Sequence, residues 1–84
     1  MITLKYFASL KTIAGKEEEQ LDVGSETTVQ ALSETLSKTA PQISEMIRGK
    51  KILVSVNQDV AALDTIIHDG DEVAFLPPFS GGSL

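Results

Sequence analysis

The sequence predicts an α+β domain in which a mixed sheet of roughly four to five strands carries one main helix across one face. Three observations point there. Residues 2–8 alternate apolar and polar side chains with the period of a half-buried strand, and residues 72–76 give the last strand signal. Between them, Val29, Leu32 and Leu36 recur at helical spacing, with Ala40 near the end. Residues 52–56 add an apolar, β-branched strand carrying Ile52, Val54 and Val56. One amphipathic helix has one face to bury, and several half-apolar strands together cover it.

Each element has its own local reason. In the first strand Ile2, Leu4 and Tyr6 share one face, and Thr3, Lys5 and Phe7 the other. Ser9 is the expected cap of a short helix carrying Leu10 and Ile13, which Gly15 ends. Residues 17–23 read as a second strand with Leu21 and Val23 inward; Glu17 and Glu18 suit an exposed edge, where charge discourages stray pairing. Thr27 and Gln30 fit a T-x-x-Q capping box at the start of the main helix. Pro41 ends that helix and suits the first turn of a short second one with Ile43, Met46 and Ile47. Gly49 and Lys50-Lys51 mark a turn before the 52–56 strand, and Asn57-Gln58-Asp59 another, after which Val60 and Ala61 pair briefly. His68-Asp69-Gly70-Asp71 turns the chain into its last strand. The long intervening segment lets the first and last strands lie parallel, side by side, at the sheet centre. Residues 1–76 form the expected domain and 77–84 a projecting tail.

Composition removes most sources of chemistry. The 84 residues contain no cysteine, so disulfides, thiolate metal sites and cysteine nucleophiles are excluded. The one histidine, His68, leaves no basis for a histidine metal cluster, and no metal site is expected. A net charge of −5 argues against nucleic acid and favours partners with basic surfaces, besides keeping a small protein soluble. No apolar run approaches about 18 residues, so no membrane span is expected. The opening residues alternate like a strand and lack the regions of a signal peptide, which makes cytoplasmic residence the expectation.

The tail is the most informative segment. Pro77-Pro78 favours an extended chain and lowers the entropy lost on ordering in a partner. Gly81 and Gly82 have no Cβ, so their backbone passes through a slot closed to other residues. From Pro77 to Gly82 the reach is at most roughly 20 Å. A glycine pair near a terminus is by itself ordinary. Its combination with the rest is not. Tyr6-Phe7-Ala8-Ser9-Leu10-Lys11, Val56-Asn57-Gln58 and the run from Asp69-Gly70-Asp71-Glu72-Val73-Ala74-Phe75-Leu76 through Pro77-Pro78-Phe79-Ser80-Gly81-Gly82 closely resemble the small subunits of molybdopterin synthase, over residues 1–82.

That resemblance implies a ubiquitin-like β-grasp fold and a sulfur-carrier role. The C-terminal Gly82 carboxylate would be adenylated by an ATP-dependent activating enzyme and converted to a thiocarboxylate. The carrier would then dock on the large subunit of molybdopterin synthase, in a heterotetramer, and donate sulfur to cyclic pyranopterin monophosphate. No cofactor is expected on this chain, since ATP is used by the activating enzyme, and no catalytic site of its own is implied. Adenylation makes chemical sense because a carboxylate is a poor electrophile until it is joined to a good leaving group. The carrier contributes the reacting atom and its delivery. Pro77, Pro78, Phe79, Ser80 and Gly81 are the residues expected to thread into the partner, and Phe7, Leu76 and Phe79 the apolar docking surface. Arg48 is a weaker candidate for a partner contact. Lys50-Lys51 and Glu17-Glu18-Glu19 read as solvated turn and edge residues.

One feature departs from the family pattern. Ser83-Leu84 follow the second glycine, so the Gly82 carbonyl as written belongs to an internal amide. Three accounts stand: a processing protease removes the two residues, they are foreign to the natural chain, or carrier chemistry is lost and binding kept. The intact remainder of the tail favours the first two. Alternative roles on the same fold are a carrier for thiamine or tRNA thiolation, and a ubiquitin-like modifier or binding module that transfers no sulfur.

Overall fold

In the computed structural model, which describes residues 1–77, strand β1 (Ile2–Tyr6) alternates as expected, with Ile2, Leu4 and Tyr6 buried and Thr3 and Lys5 half-buried on the other face. Helix α1 (Ser9–Ala14) buries Leu10. Its cap is Ala8 and not Ser9, which is the first helical residue. Ala8 sits at φ 53 with no side-chain capping bond, so a backbone bend opens this helix. Gly15 closes it at φ 78, where an L side chain would be strained, and donates its N–H to the Lys11 carbonyl at 2.8 Å. Strand β2 (Glu18–Leu21) runs back antiparallel to β1 with Leu21 opposite Ile2.

A short strand absent from the sequence expectation, β3 (Glu26–Thr28), leads into helix α2 (Val29–Leu36), the expected main helix. The cap is Thr28 and not Thr27: Thr28 Oγ1 accepts the Ala31 N–H at 3.1 Å. Thr27 is held in the strand opposite Ile67, which moves the helix start on by one residue. The next two free donors are also satisfied, Val29 N–H by the Thr65 carbonyl at 3.1 Å and Gln30 N–H by the Leu63 carbonyl at 2.9 Å. Thr28→Ala is therefore expected to cost about 1 kcal/mol, read as a melting point lower by about 4–8 °C in a domain of this size.

Helix α3 (Pro41–Arg48) has the same length as α2, opens on Pro41 and buries Ile43 and Ile47. At its end a Cβ on Gly49 would meet the Glu45 carbonyl oxygen at 3.2 Å. Lys50 then takes φ 58, and the Lys51 N–H returns to the Met46 carbonyl at 2.8 Å. Strand β4 (Leu53–Val56) buries Val54 and Val56, with Ile52 buried just before it. Asn57 and Gln58 both have left-handed φ, 51 and 74, the pattern of a two-residue hairpin turn into β5 (Asp59–Val60). A second unforeseen strand, β6 (Ile66–His68), pairs antiparallel with β3 and buries Ile67. Strand β7 (Glu72–Leu76) closes the sheet.

The main sheet has the order β2-β1-β7-β4-β5, with β3 and β6 forming a separate two-stranded sheet. β1 and β7 are parallel, and β7 occupies the middle, antiparallel to β4 on its other side. The helices and the sheet enclose a single apolar cluster, in which the Tyr6 and Phe75 rings stack with centroids 5.3 Å apart. At the sheet margin the Tyr6 hydroxyl donates to Glu19 at 2.7 Å.

The turn before β7 is fixed by Asp71. Its carboxylate accepts the His68 backbone N–H at 2.8 Å and the Asn57 amide at 2.9 Å. These bonds, the His68 N–H first, hold the Asp71 carboxyl below the usual carboxylate range. Because the folded value lies below the unfolded one, the stabilisation is complete above the unfolded value near about pH 4 and is lost as pH falls through the folded one. Asp71→Asn is expected to remove that part of the acid loss, so urea midpoints of variant and parent converge below about pH 4.

Candidate functional site

The register of β7 decides which side chains reach the outer face of the sheet. Val73 and Phe75 point into the core, so Glu72, Ala74 and Leu76 lie on the side away from the helices. Antiparallel pairing puts Leu53 of β4 opposite Leu76 and Ser55 opposite Ala74, and Val60 of β5 opposite Ser55. Phe7 follows β1 and donates its N–H to the Phe75 carbonyl at 3.1 Å. Phe7, Leu53, Val60, Ala74 and Leu76 thereby line one shallow groove of about 370 Å³. Three of them are well exposed: Phe7 at 42%, Leu53 at 36% and Val60 at 79%.

This face is apolar where β7 ends and polar where it begins. At the polar end Lys5 pairs with Glu72 at 3.3 Å, and the Gln20 amide donates to Thr3 Oγ1 at 3.0 Å. Asn57 fixes the start of β7 by two bonds. Its N–H donates to the Glu72 carbonyl at 2.8 Å, and its side-chain oxygen accepts the Glu72 N–H at 3.0 Å. The Val56-Asn57-Gln58 motif thus ties the β4–β5 turn to the strand from which the tail departs.

Of the sequence-predicted site residues, Phe7 and Leu76 are brought together on this groove, and Pro77 follows, half-buried. Pro78, Phe79, Ser80, Gly81, Gly82, Ser83 and Leu84 lie outside the described residues. Leu53 and Val60 join the groove without having been singled out. The alternation of 52–56 already places Leu53 opposite in sense to Ile52 and Val54, but only the β4–β7 register sets it beside Leu76. His68, expected in a turn, is instead the last residue of β6, opposite Glu26; its exposed ring has nitrogens 3.9 Å from Glu26 and from Asp71, beyond hydrogen-bonding distance. Among the described residues no group of His, Cys, Asp or Glu could hold a metal ion, and no helix is long and apolar enough to cross a membrane. What the described surface offers chemically is shape and apolar contact beside the root of the tail.

Comparison with known proteins gives the same outline. The ThiS family matches residues 4–82. The molybdopterin synthase sulfur carrier subunit of Escherichia coli K12 is 32% identical over 98% of this chain and 100% of its own length. Small archaeal modifier protein 1 of Haloferax volcanii is 33% identical over 93% of this chain and 97% of its own. A crystal structure of that archaeal protein superposes with a TM-score of 0.79 at 32% identity, covering 96% of this chain and 98% of the other. A complex of subunits 1 and 2 of molybdopterin-converting factor from Helicobacter pylori contains a chain of the same fold, with a TM-score of 0.65 at 20% identity, covering 96% of this chain and 97% of that one. The fold is the ubiquitin-like β-grasp of these carriers.

Proposed function

The chain belongs to the ThiS family, and from that premise we propose that it is the sulfur-carrier small subunit of a molybdopterin synthase. The observation that carries this reading is the extent of the match. It runs to residue 82 and so takes in Gly81-Gly82, beyond the domain that the core alone explains.

The steps follow from the chemistry of the tail. A protease first removes Ser83-Leu84 and frees the Gly82 carboxylate. One carboxylate oxygen attacks the α-phosphate of ATP on an activating enzyme, pyrophosphate leaves, and an acyl-adenylate forms. A sulfide equivalent adds to the activated carbonyl and AMP departs, which leaves a thiocarboxylate. The apolar groove of Phe7, Leu53, Val60 and Leu76 seats the carrier on the large subunit. Pro77, Pro78, Phe79, Ser80 and Gly81 carry the thiocarboxylate into that subunit's site. There the sulfur is donated to cyclic pyranopterin monophosphate, and the Gly82 carboxylate is regenerated with water. The chain brings no acid, base, metal or cofactor of its own to these steps. The place of work is the cytoplasm, where ATP is available.

The test is intact-mass analysis of the chain ending at Gly82 after incubation with an activating enzyme, ATP and a sulfide source. The expected product gains the mass difference of one oxygen replaced by sulfur. The chain ending at Leu84 should gain nothing without a protease. Likeness to small archaeal modifier protein 1 supports a second reading, in which Gly82 is joined to lysines of target proteins. Conjugates formed without any thiocarboxylate would favour that reading.

A further inference from the structure

A second groove, of about 490 Å³, lies between the helices and the β4–β5 side of the sheet. Its volume is within the range of ordinary ligand sites, about 300–1,000 Å³. The floor is apolar, formed by Val29, Ile47, Ile52 and Leu63. Gln30, Lys50 and Asp64 supply polar groups at its wall.

The turn at 48–51, which borders this groove through Lys50, carries charge opposite to that of the whole chain. Three of the seven cations are matched to carboxylates: Lys5 with Glu72, Lys11 with Glu17 and Lys16 with Glu19. Among the described residues Lys38, Arg48, Lys50 and Lys51 form no ion pair, and the last three stand within four residues of one another. In a chain of net charge −5 this is a local reversal of sign. Among the lining residues Lys50 and Asp64 cancel, so the positive excess comes from Arg48 and Lys51, which flank Lys50 in the chain at the groove's border. Lys50 also holds φ 58, a left-handed conformation that strains a non-glycine residue. A glycine there would relieve that strain, so the turn itself does not call for lysine.

We propose that this groove docks an acidic segment of a partner protein, anchored by an aliphatic or aromatic side chain on the floor, with its carboxylates at Lys50 and the neighbouring Arg48 and Lys51. Charge complementarity selects the occupant: an apolar floor alone would admit any hydrophobic segment, and the unmatched cations beside it favour carboxylates. The groove is separate from the Phe7 surface, although Leu53 and Val54 border both. The proposal does not depend on whether the tail carries sulfur.

The test uses the full chain as bait for a phage-displayed library of random short peptides, with Lys50→Gly as the counter-bait. Glycine is at ease at a left-handed φ, so this variant keeps its fold, checked by its urea midpoint. Selected peptides are expected to combine Asp or Glu with Leu, Ile or Phe, and to bind Lys50→Gly about tenfold more weakly. Their binding should weaken with added salt. Amide shifts in nitrogen-15 spectra should fall on Gln30, Ala62 and Leu63 and spare Phe7 and Ala74. The proposal is overturned if the selected peptides are neutral or basic, if none prefers the parent over Lys50→Gly, or if the shifts map to the Phe7 surface. Sedimentation of the parent showing self-association that Lys50→Gly abolishes would also overturn it, by assigning the groove to a second copy of the chain.

Discussion

Phe75→Ala is expected to remove most of the stability of the domain. Phe75 is fully buried in the middle strand, opposite Tyr6 in β1 and Val54 in β4, so it touches both halves of the sheet. Truncating a buried phenylalanine costs about 3–5 kcal/mol. The stacked Tyr6 ring contributes roughly a further 0.5–1.5 kcal/mol through its aromatic geometry. A domain of this size holds on the order of 5–10 kcal/mol in total. Urea titration should therefore show the variant partly unfolded before denaturant is added, while Phe75→Leu, which keeps a large apolar side chain in the core, stays folded. A loss below about 1 kcal/mol for the alanine variant would mean that the core is not centred on β7.

The second large effect is expected on function with little effect on stability. Phe7→Glu places a carboxylate in the groove on the outer face of the sheet. Phe7 is 42% exposed, and its backbone bond to Phe75 does not depend on the side chain. The free protein should keep its urea midpoint within about 0.5 kcal/mol. In a docked complex that carboxylate would be stripped of water without a partner, a change of the size seen at interface hot spots, about 2–4 kcal/mol. Sulfur transfer from thiocarboxylated carrier to cyclic pyranopterin monophosphate, measured with the large subunit, should slow by about 100-fold. A control at the polar end, Gln20→Glu, should leave the rate nearly unchanged. Equal rates for parent and Phe7→Glu would remove this face from the docking surface.

Much of the fold is legible in the sequence because its central strands carry strong periodic signals. Ile2, Leu4 and Tyr6, then Ile52, Val54 and Val56, mark buried faces without reference to any neighbour. The long segment between the first and last strands permits the parallel pairing that the fold contains. What escapes local reading is the small second sheet. Glu26–Thr28 and Ile66–His68 are three residues each, too short to show a period, and each is a strand only because the other lies beside it. The capping threonine escapes for the same reason, since the choice between Thr27 and Thr28 depends on where that pairing stops. The bend at Ala8 has no signal in an alanine.

The site divides in the same way. Phe7 and Leu76 are predictable from alternation, while Leu53 and Val60 enter through the β4–β7 and β4–β5 registers, which connect residues distant in sequence. The second groove has no signature in the sequence, because its lining comes from segments distant in the chain. Paired lysines after a helix are usually solvated, and only the apolar floor beside Lys50 gives them another meaning.

The position of β7 has a mechanical consequence. It is hydrogen-bonded along both sides, to β1 and to β4, and the tail continues directly from its end. A pull applied beyond Pro77 along the strand axis would load both ladders in shear, so that many bonds bear the force together. An enzyme that grips the tail to trim, charge or empty it can tug without unravelling the body, and the same arrangement should make this chain a stubborn substrate for any machine that unfolds proteins from their C-terminal end.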